Sequence, residues 1–425
     1  MAKQQRLSVW MYGRHVATLT RARDRLSLAY TEEAQDTYDV NTPLLSISLP
    51  IGPQIFPHDR VRPFFEGLLP EGETRRMLAY DFRLQEDDIF GLLGILGRDC
   101  AGALIILPEG EALPDPDISA PIPLTREEVV ARLRQLSVEP LGIDEQVRVS
   151  LAGVQQKMVL SRLPSGEWAL PINGLPSTHI LKRGDPRFPQ MVANEAFCLA
   201  VCRHLGLQVA AAEILDVADP ILVVTRYDRE ITAKGEIWRI HQEDLAQALG
   251  IPSSAKYEER GGPSLRTIAR LLRDWTLGSE GREHLLDITL LNMVLGNGDA
   301  HAKNFSLLHD ESGAVRLAPA YDLISTAFYP QADVRPGMYV NGKRSIHDIT
   351  TTDVIAEATT WGLNRGRVAA RVAHLLERLP VAIADAALDV PAAPTELVEL
   401  MNARAAAFGA DRSARPESPS FRTSG

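Results

Sequence analysis

Cysteine is scarce in this 425-residue chain: Cys100, Cys198 and Cys202 are too few for a disulfide framework. Small thiols in a reducing compartment are the expected reading. No run approaches 18 apolar residues, and the first residues, Met1 to Ser8, contain no apolar leader. Both absences point away from secretion and membrane insertion and towards a cytoplasmic protein. Excess basic charge is missing too. The net charge of −10 argues against nucleic-acid binding as the main activity, while leaving room for a local basic patch. There is no repeat of 20–50 residues and no G-x-G-x-x-G or Walker A pattern. With 45% hydrophobic and 24% charged residues, what remains is an ordinary globular chain, long enough for two or three domains.

What is present is concentrated between Asn297 and Asn304, Asn-Gly-Asp-Ala-His-Ala-Lys-Asn, with Ala320-Tyr321-Asp322 further on. Apolar Ile288, Leu291 and Leu295 lead into Gly296-Asn297-Gly298, whose glycines should end a helix and open a tight loop. Phe305–Leu317 then reads as a hairpin that returns Asp322 towards Asn304. In this D-x-x-x-x-N arrangement Asp299 can accept the proton of an attacking hydroxyl. Asn304 and Asp322 can hold the Mg²⁺ that bridges ATP phosphates. His301, Lys303 and Tyr321 fall within reach of the same nucleotide. A capped polar loop is the bland alternative. A zinc site on His301 and His309 lacks a third ligand at a recognised spacing.

Upstream, Ser150-Leu-Ala-Gly-Val-Gln-Gln-Lys157 reads as a strand, a small-residue turn and a second strand. Backbone N–H groups of Ala152, Gly153, Val154, Gln155 and Gln156, with Lys157, could cradle phosphates. By itself such a turn is a weak signal. The strand Thr178–Lys182 places Lys182 before a helix whose apolar stripe is Met191, Cys198, Cys202 and Leu205. Glu195 lies on that stripe, and a buried carboxylate needs a partner. Lys182 at the α- and β-phosphates is the natural one. The run Val223–Arg229 is read as a hinge, with backbone groups of Thr225, Arg226 and Tyr227 facing the adenine. His241-Gln-Glu-Asp244 is expected to begin a helix that braces the loop.

Alternation over residues 6–20 predicts two strands meeting at Tyr12-Gly13-Arg14. Leu44–Leu49 is read as a third, and about 73–80 as a helix. The expected organisation is an α+β unit at 1–107, a proline-rich linker at 108–124, a strand-rich lobe at 125–228 and a helical lobe at 229–405. A disordered tail is expected over 406–425.

Together these blocks resemble the HipA family of kinase toxins. The resemblance rests on Ser150–Lys157, Thr178–Lys182, Arg226-Tyr-Asp-Arg229, His241–Asp244, Asn297–Asn304 and Pro319-Ala-Tyr-Asp322. Ser46-Ile-Ser-Leu-Pro50, Phe64–Gly72 and Gly102-Ala-Leu104 match the family's N-terminal part, so the likeness spans roughly 6–400. It implies a bilobal fold related to protein kinases and PI3/4-kinases, and a serine/threonine kinase using ATP and Mg²⁺. It implies aminoacyl-tRNA synthetase targets, the glutamyl enzyme foremost, and growth arrest as the outcome. It also implies a HipB-type helix-turn-helix antitoxin that contacts operator DNA for the pair, and autophosphorylation at Ser150 as an off-switch. One departure is Thr225, where a glutamate is usual. A small-molecule phosphotransferase and an inactive co-repressor scaffold stand as rivals.

Overall fold

The chain begins with a hairpin whose turn explains its register. In the computed structural model, strands Gln5–Met11 and Arg14–Ala22 are joined by Tyr12 and Gly13, both at positive φ (52° and 78°). That two-residue geometry matches the right-handed twist of the strands it connects. Arg25–Tyr30 pairs on one side and Ile105–Pro108 on the other, closing a four-stranded antiparallel sheet. Leu7, Val9 and Met11 alternate onto its buried face against Phe64, Phe65 and Leu93 from helices His58–Gly67 and Ile89–Leu96. The structure describes residues 4–113, 121–136, 139–143, 147–232 and 236–410. Most of the expected tail and the middle of the expected linker lie outside them.

Three local expectations need correction. Leu44–Leu49 is not a strand. Its backbone turns so that Ser46 Oγ (2.5 Å) and the Ile47 N–H (2.9 Å) reach the Glu243 carboxylate, and this contact overrides strand propensity. His241–Asp244 is itself a strand, paired with Ser306–His309, and the helix starts only at Leu245. Asp244 is its cap: its carboxylate accepts the Gln247 N–H while the Gln247 side chain accepts the Asp244 N–H. Finally, Ile122–Leu124, inside the stretch read as linker, forms the edge strand of the next sheet, a position where Pro123 costs no ladder bond.

That sheet has six strands in the order Ala212–Leu215, Ile221–Thr225, His179–Arg183, Lys157–Arg162, Trp168–Leu170 and Ile122–Leu124. The helix Met191–His204 packs against it. The second lobe is built from helices Leu265–Trp275, Glu280–Leu295, Thr351–Thr359, Arg365–Asp389 and Thr395–Ala410. A three-stranded sheet, 241–244, 306–309 and 315–317, carries the polar loop between its first two members.

The N-terminal unit does not stand apart. Asp99–Cys100 pairs in parallel with Val149–Ser150, and one apolar core runs from Leu7 and Phe64 to Met158, Leu160 and Leu181. Beside that junction lies a buried ionic cluster. Asp99 meets Arg229 at 3.0 Å, Arg239 at 3.2 Å and Arg226 at 3.5 Å, and accepts the Ser177 hydroxyl at 2.6 Å. Asp228 takes Arg226 at 2.8 Å, Arg229 at 2.9 Å and the Gly102 N–H at 2.7 Å. Burial would push the Asp99 carboxyl up, but Arg226, Arg229 and Arg239 outweigh it and hold it below the usual range. Asp99→Ala leaves three guanidinium groups in a dry junction with Asp228 as their one remaining carboxylate in the cluster. We expect a loss of about 3–5 kcal/mol in denaturant unfolding. A loss below about 1 kcal/mol would show that the cluster is not what fastens the N-terminal unit to the lobe.

Candidate active site

The polar loop is shaped by the end of the Glu280–Leu295 helix. Gly296, at φ 71°, donates its N–H to Met293 O, and the Asn297 N–H bonds back to Asn292 O. This is a Schellman stop, and it requires glycine twice over. A Cβ on Gly296 would sit 2.7 Å from that of Ala327. The Asp299 N–H then donates to Asn297 Oδ1 (3.0 Å), and Asn304 Nδ2 donates to Asp299 O (2.8 Å). The backbone of Asp299 is thus fixed from both sides while its carboxylate stays exposed. With its nitrogen engaged, Asn304 has its amide oxygen left to ligate.

Across the cleft, strand register puts Lys157 opposite Lys182. Lys182 donates to Glu195 Oε1 at 2.7 Å and also to Asp322 Oδ1, so one ammonium bridges the two lobes. Asp322 stands at φ 52°, a left-handed conformation that aspartate tolerates, and this turns its carboxylate inward. Burial would lower the Lys182 pKa, but Asp322 and Glu195 more than reverse it, and the group stays charged. Burial also pushes Asp322 up, and Lys182 overrides it, holding the carboxyl low. Glu195 is raised, because its burial exceeds what Lys182 returns. Among the described residues no carboxylate forms an ion pair with Lys157. Its ammonium donates to Ala152 O across the turn, and burial draws its pKa down to about 8.

The expected residues converge on one cleft of about 770 Å³. Its walls include Ala152 to Lys157, Lys182, Glu195, Thr225 to Tyr227, Asp299, His301, Lys303, Asn304, Tyr321 and Asp322. An adjoining groove of about 860 Å³, lined by Val192, Ala196, Leu199 and Arg203 of the Met191–His204 helix, holds neither Lys182 nor Asp299. Among the described residues no group of three or more His, Cys, Asp or Glu is arranged to hold a metal. Asp322 and Asn304 instead offer carboxylate and amide oxygens, the hard donors Mg²⁺ takes when phosphates complete its shell.

Some expected roles shift in detail. The Arg226 side chain points away from the cleft into the Asp99–Asp228 cluster. Its N–H goes to Thr178 O, that of Thr225 goes to Ala211 O, and the Arg226 carbonyl accepts the Arg229 N–H at 3.3 Å, which leaves the Tyr227 N–H as the hinge donor without a backbone acceptor among the described residues. Lys303 is buried against Asp244 at 2.7 Å, with Glu71 at 3.7 Å, which makes it a brace as much as a phosphate contact. His301 is buried, and burial lowers its pKa, favouring the neutral ring. Ser150 is fully buried, outside the cleft wall, and donates to Leu68 O at 2.8 Å.

Two contributors escaped the sequence reading. Glu71, from the N-terminal unit, bonds Lys256 at 2.9 Å, and its N–H donates to Gly153 O at 3.2 Å. Tyr257 donates its hydroxyl to Asp299 Oδ1 at 2.5 Å. The Pro70-Glu71-Gly72 turn was a visible signal for the first; no local pattern marks the second.

A family described as HipA-like C-terminal domain matches residues 149–383, and one described as HipA N-terminal domain matches 7–107. The chain belongs to the HipA family. The Putative kinase Y4mE of Sinorhizobium fredii is 40% identical over 386 residues, 89% of this chain and 91% of that one. The Serine/threonine-protein kinase toxin HipA of Shewanella oneidensis is 29% identical over 78% of each chain. The solved complex of Shewanella oneidensis HipA with HipB and operator DNA superimposes with a TM-score of 0.81, covering 95% of this chain and 96% of that one at 26% identity. The expected bilobal α+β HipA fold is therefore present, N-terminal unit included. Among the described residues no helix is long and apolar enough to cross a membrane.

The Lys157 environment predicts a pH effect on nucleotide binding. Burial lowers the Lys157 pKa to about 8, whereas a bound polyphosphate would favour the ammonium. Affinity for ATP should therefore fall as pH rises from about 7 to 9, with proton uptake on binding at the upper end. Calorimetry in buffers of different ionisation enthalpy measures this. Lys157→Met should flatten the dependence, and a slope that survives that change would assign the proton elsewhere.

Proposed function

We propose that this HipA-family chain is a serine/threonine protein kinase using Mg·ATP, and that it acts as the toxin of a toxin–antitoxin pair. The observation that carries this reading is Lys182, shared by Glu195 of one lobe and Asp322 of the other, in a cleft that also presents Asp299. ATP phosphates lie against the 152–157 turn, Lys157 and Lys182, with adenine at Thr225–Tyr227. Asn304 and Asp322 would hold Mg²⁺, which supplies charge screening to the phosphates. Asp299 orients a serine or threonine hydroxyl and accepts its proton as the oxygen bonds to the γ-phosphorus and ADP leaves.

The nature of the relatives extends the proposal. An antitoxin of HipB type is the partner, and operator DNA is reached through it, in keeping with the −10 net charge here. The target class is an aminoacyl-tRNA synthetase, of the glutamyl type, whose modification stops translation and arrests growth in the cytoplasm. Ser150 is the autophosphorylation site. Since its hydroxyl is buried on Leu68 O, the Val149–Ser150 strand must leave Asp99–Cys100 before it can be modified. A phosphate there keeps the 152–157 turn from closing on ATP.

Induction of the wild type should arrest growth and label a discrete protein in lysate supplied with radiolabelled ATP, while Asp299→Asn does neither. Label in small metabolites alone would point to a small-molecule phosphotransferase. Equal arrest by both forms would remove Asp299 from the chemistry. After incubation with Mg·ATP, mass spectrometry should find phosphate on Ser150 of the wild type. Its absence would exclude Ser150 as the off-switch.

A further inference from the structure

Asp299 already has a hydroxyl on it. Tyr257 Oη donates to Asp299 Oδ1 at 2.5 Å, the bond a serine acceptor must make with a catalytic base. Among the described residues it is the one hydrogen-bond donor found on that carboxylate. Burial and the neighbouring Asp299 charge both push the Tyr257 phenol up, so it stays protonated and is the donor in its bond to the carboxylate. Tyr257 does not line the nucleotide cleft, although Lys256 and Asp299 do. Its ring therefore reaches the base from outside, the side from which a protein side chain must arrive when ATP fills the cleft.

The contact is built, not incidental. The Tyr257 ring stands edge-on to His301, with centroids 4.9 Å apart. Lys256 O accepts the N–H of Ala302 in the catalytic loop, and the Glu258 N–H donates to Gly337 O. The Glu258 carboxylate in turn accepts the Tyr339 N–H at 2.7 Å. Behind the tyrosine the chain folds back at Gly262, where a Cβ would lie 2.4 Å from Ala255 O. The N-terminal unit fastens the same segment through the Glu71–Lys256 pair. A segment pinned on four sides delivers one hydroxyl to one carboxylate.

We infer that Tyr257 occupies the acceptor-hydroxyl position of Asp299, so that a substrate must displace it to be phosphorylated. This rests on the kinase reading above and assigns its acceptor side. Water and poorly fitting hydroxyls cannot replace a pinned phenol. A docked protein whose surface moves the 256–262 segment can, which makes Tyr257 a determinant of acceptor specificity.

The test is ATP hydrolysis by the purified full chain with no protein acceptor. There, water attacks the γ-phosphorus, its proton passes to Asp299, and ADP and phosphate leave. Tyr257→Phe keeps the ring against His301 and removes only the hydroxyl. It should raise kcat for hydrolysis about tenfold, the scale of one hydrogen bond to a charged group, with KM for ATP unchanged. Tyr257→Leu should do the same, guarding against a repacking effect of one variant, and adding Asp299→Asn to either should abolish the gain. A kcat equal to or below that of the wild type in both variants, with KM preserved, would overturn the proposal and leave the kinase reading standing. Failure of wild type and variants alike to bind or hydrolyse Mg·ATP would remove the kinase reading and this one with it.

Discussion

A single buried ammonium group links the two walls of the cleft. Lys182 sits near the end of a central strand, where burial would lower its pKa, and two carboxylates more than reverse that. One belongs to the helix packed on the same sheet and the other to the loop of the opposite lobe. A charge in low dielectric must have such partners, and supplying them from both lobes fixes the width of the cleft. On the proposed reading, entering phosphates would compete for Lys182, and Asp322 would then be free to help hold Mg²⁺. The triad bridges the cleft as it stands, and under the proposal the same groups would serve phosphates and metal.

Around this bridge the N-terminal unit forms part of the cleft wall through Gly67, Glu71 and Thr74. Its core is continuous with that of the strand-rich lobe, its Asp99 neutralises the arginines beneath the hinge, and its Glu71 reaches both the phosphate turn and the catalytic side. Arg226 and Asp228 belong to the hinge by position and to this junction by contact. The proposed adenine hinge and the attachment of the N-terminal unit therefore share Arg226 and Asp228.

Much of the site was legible from sequence because its chemistry is local. Asp299 and Asn304 share one loop, the glycines that shape it leave a clear trace, and Glu195 on an apolar stripe demanded a nearby cation. The strands carrying Lys157 and Lys182 showed their alternation. What sequence concealed was decided by tertiary contact. Leu44–Leu49 looks like a strand until Glu243, far along the chain, claims its donors. His241–Asp244 has helical polarity yet pairs as a strand because Ser306–His309 lies alongside. The junction role of the Arg226 side chain left no trace, because the Asp99 that attracts it is remote in sequence. Tyr257 gave no signal at all, since its partner Asp299 is brought to it only by the fold.

The central claim is that Lys182, shared between lobes, marks a Mg·ATP site. Calorimetric titration of ATP into wild type and Lys182→Met, with and without Mg²⁺, tests it most directly. The account predicts binding that Mg²⁺ strengthens in the wild type, and a loss of affinity of at least about tenfold in the variant, whose far-ultraviolet circular dichroism is unchanged. Equal affinity in the two proteins, or binding indifferent to Mg²⁺, would contradict it.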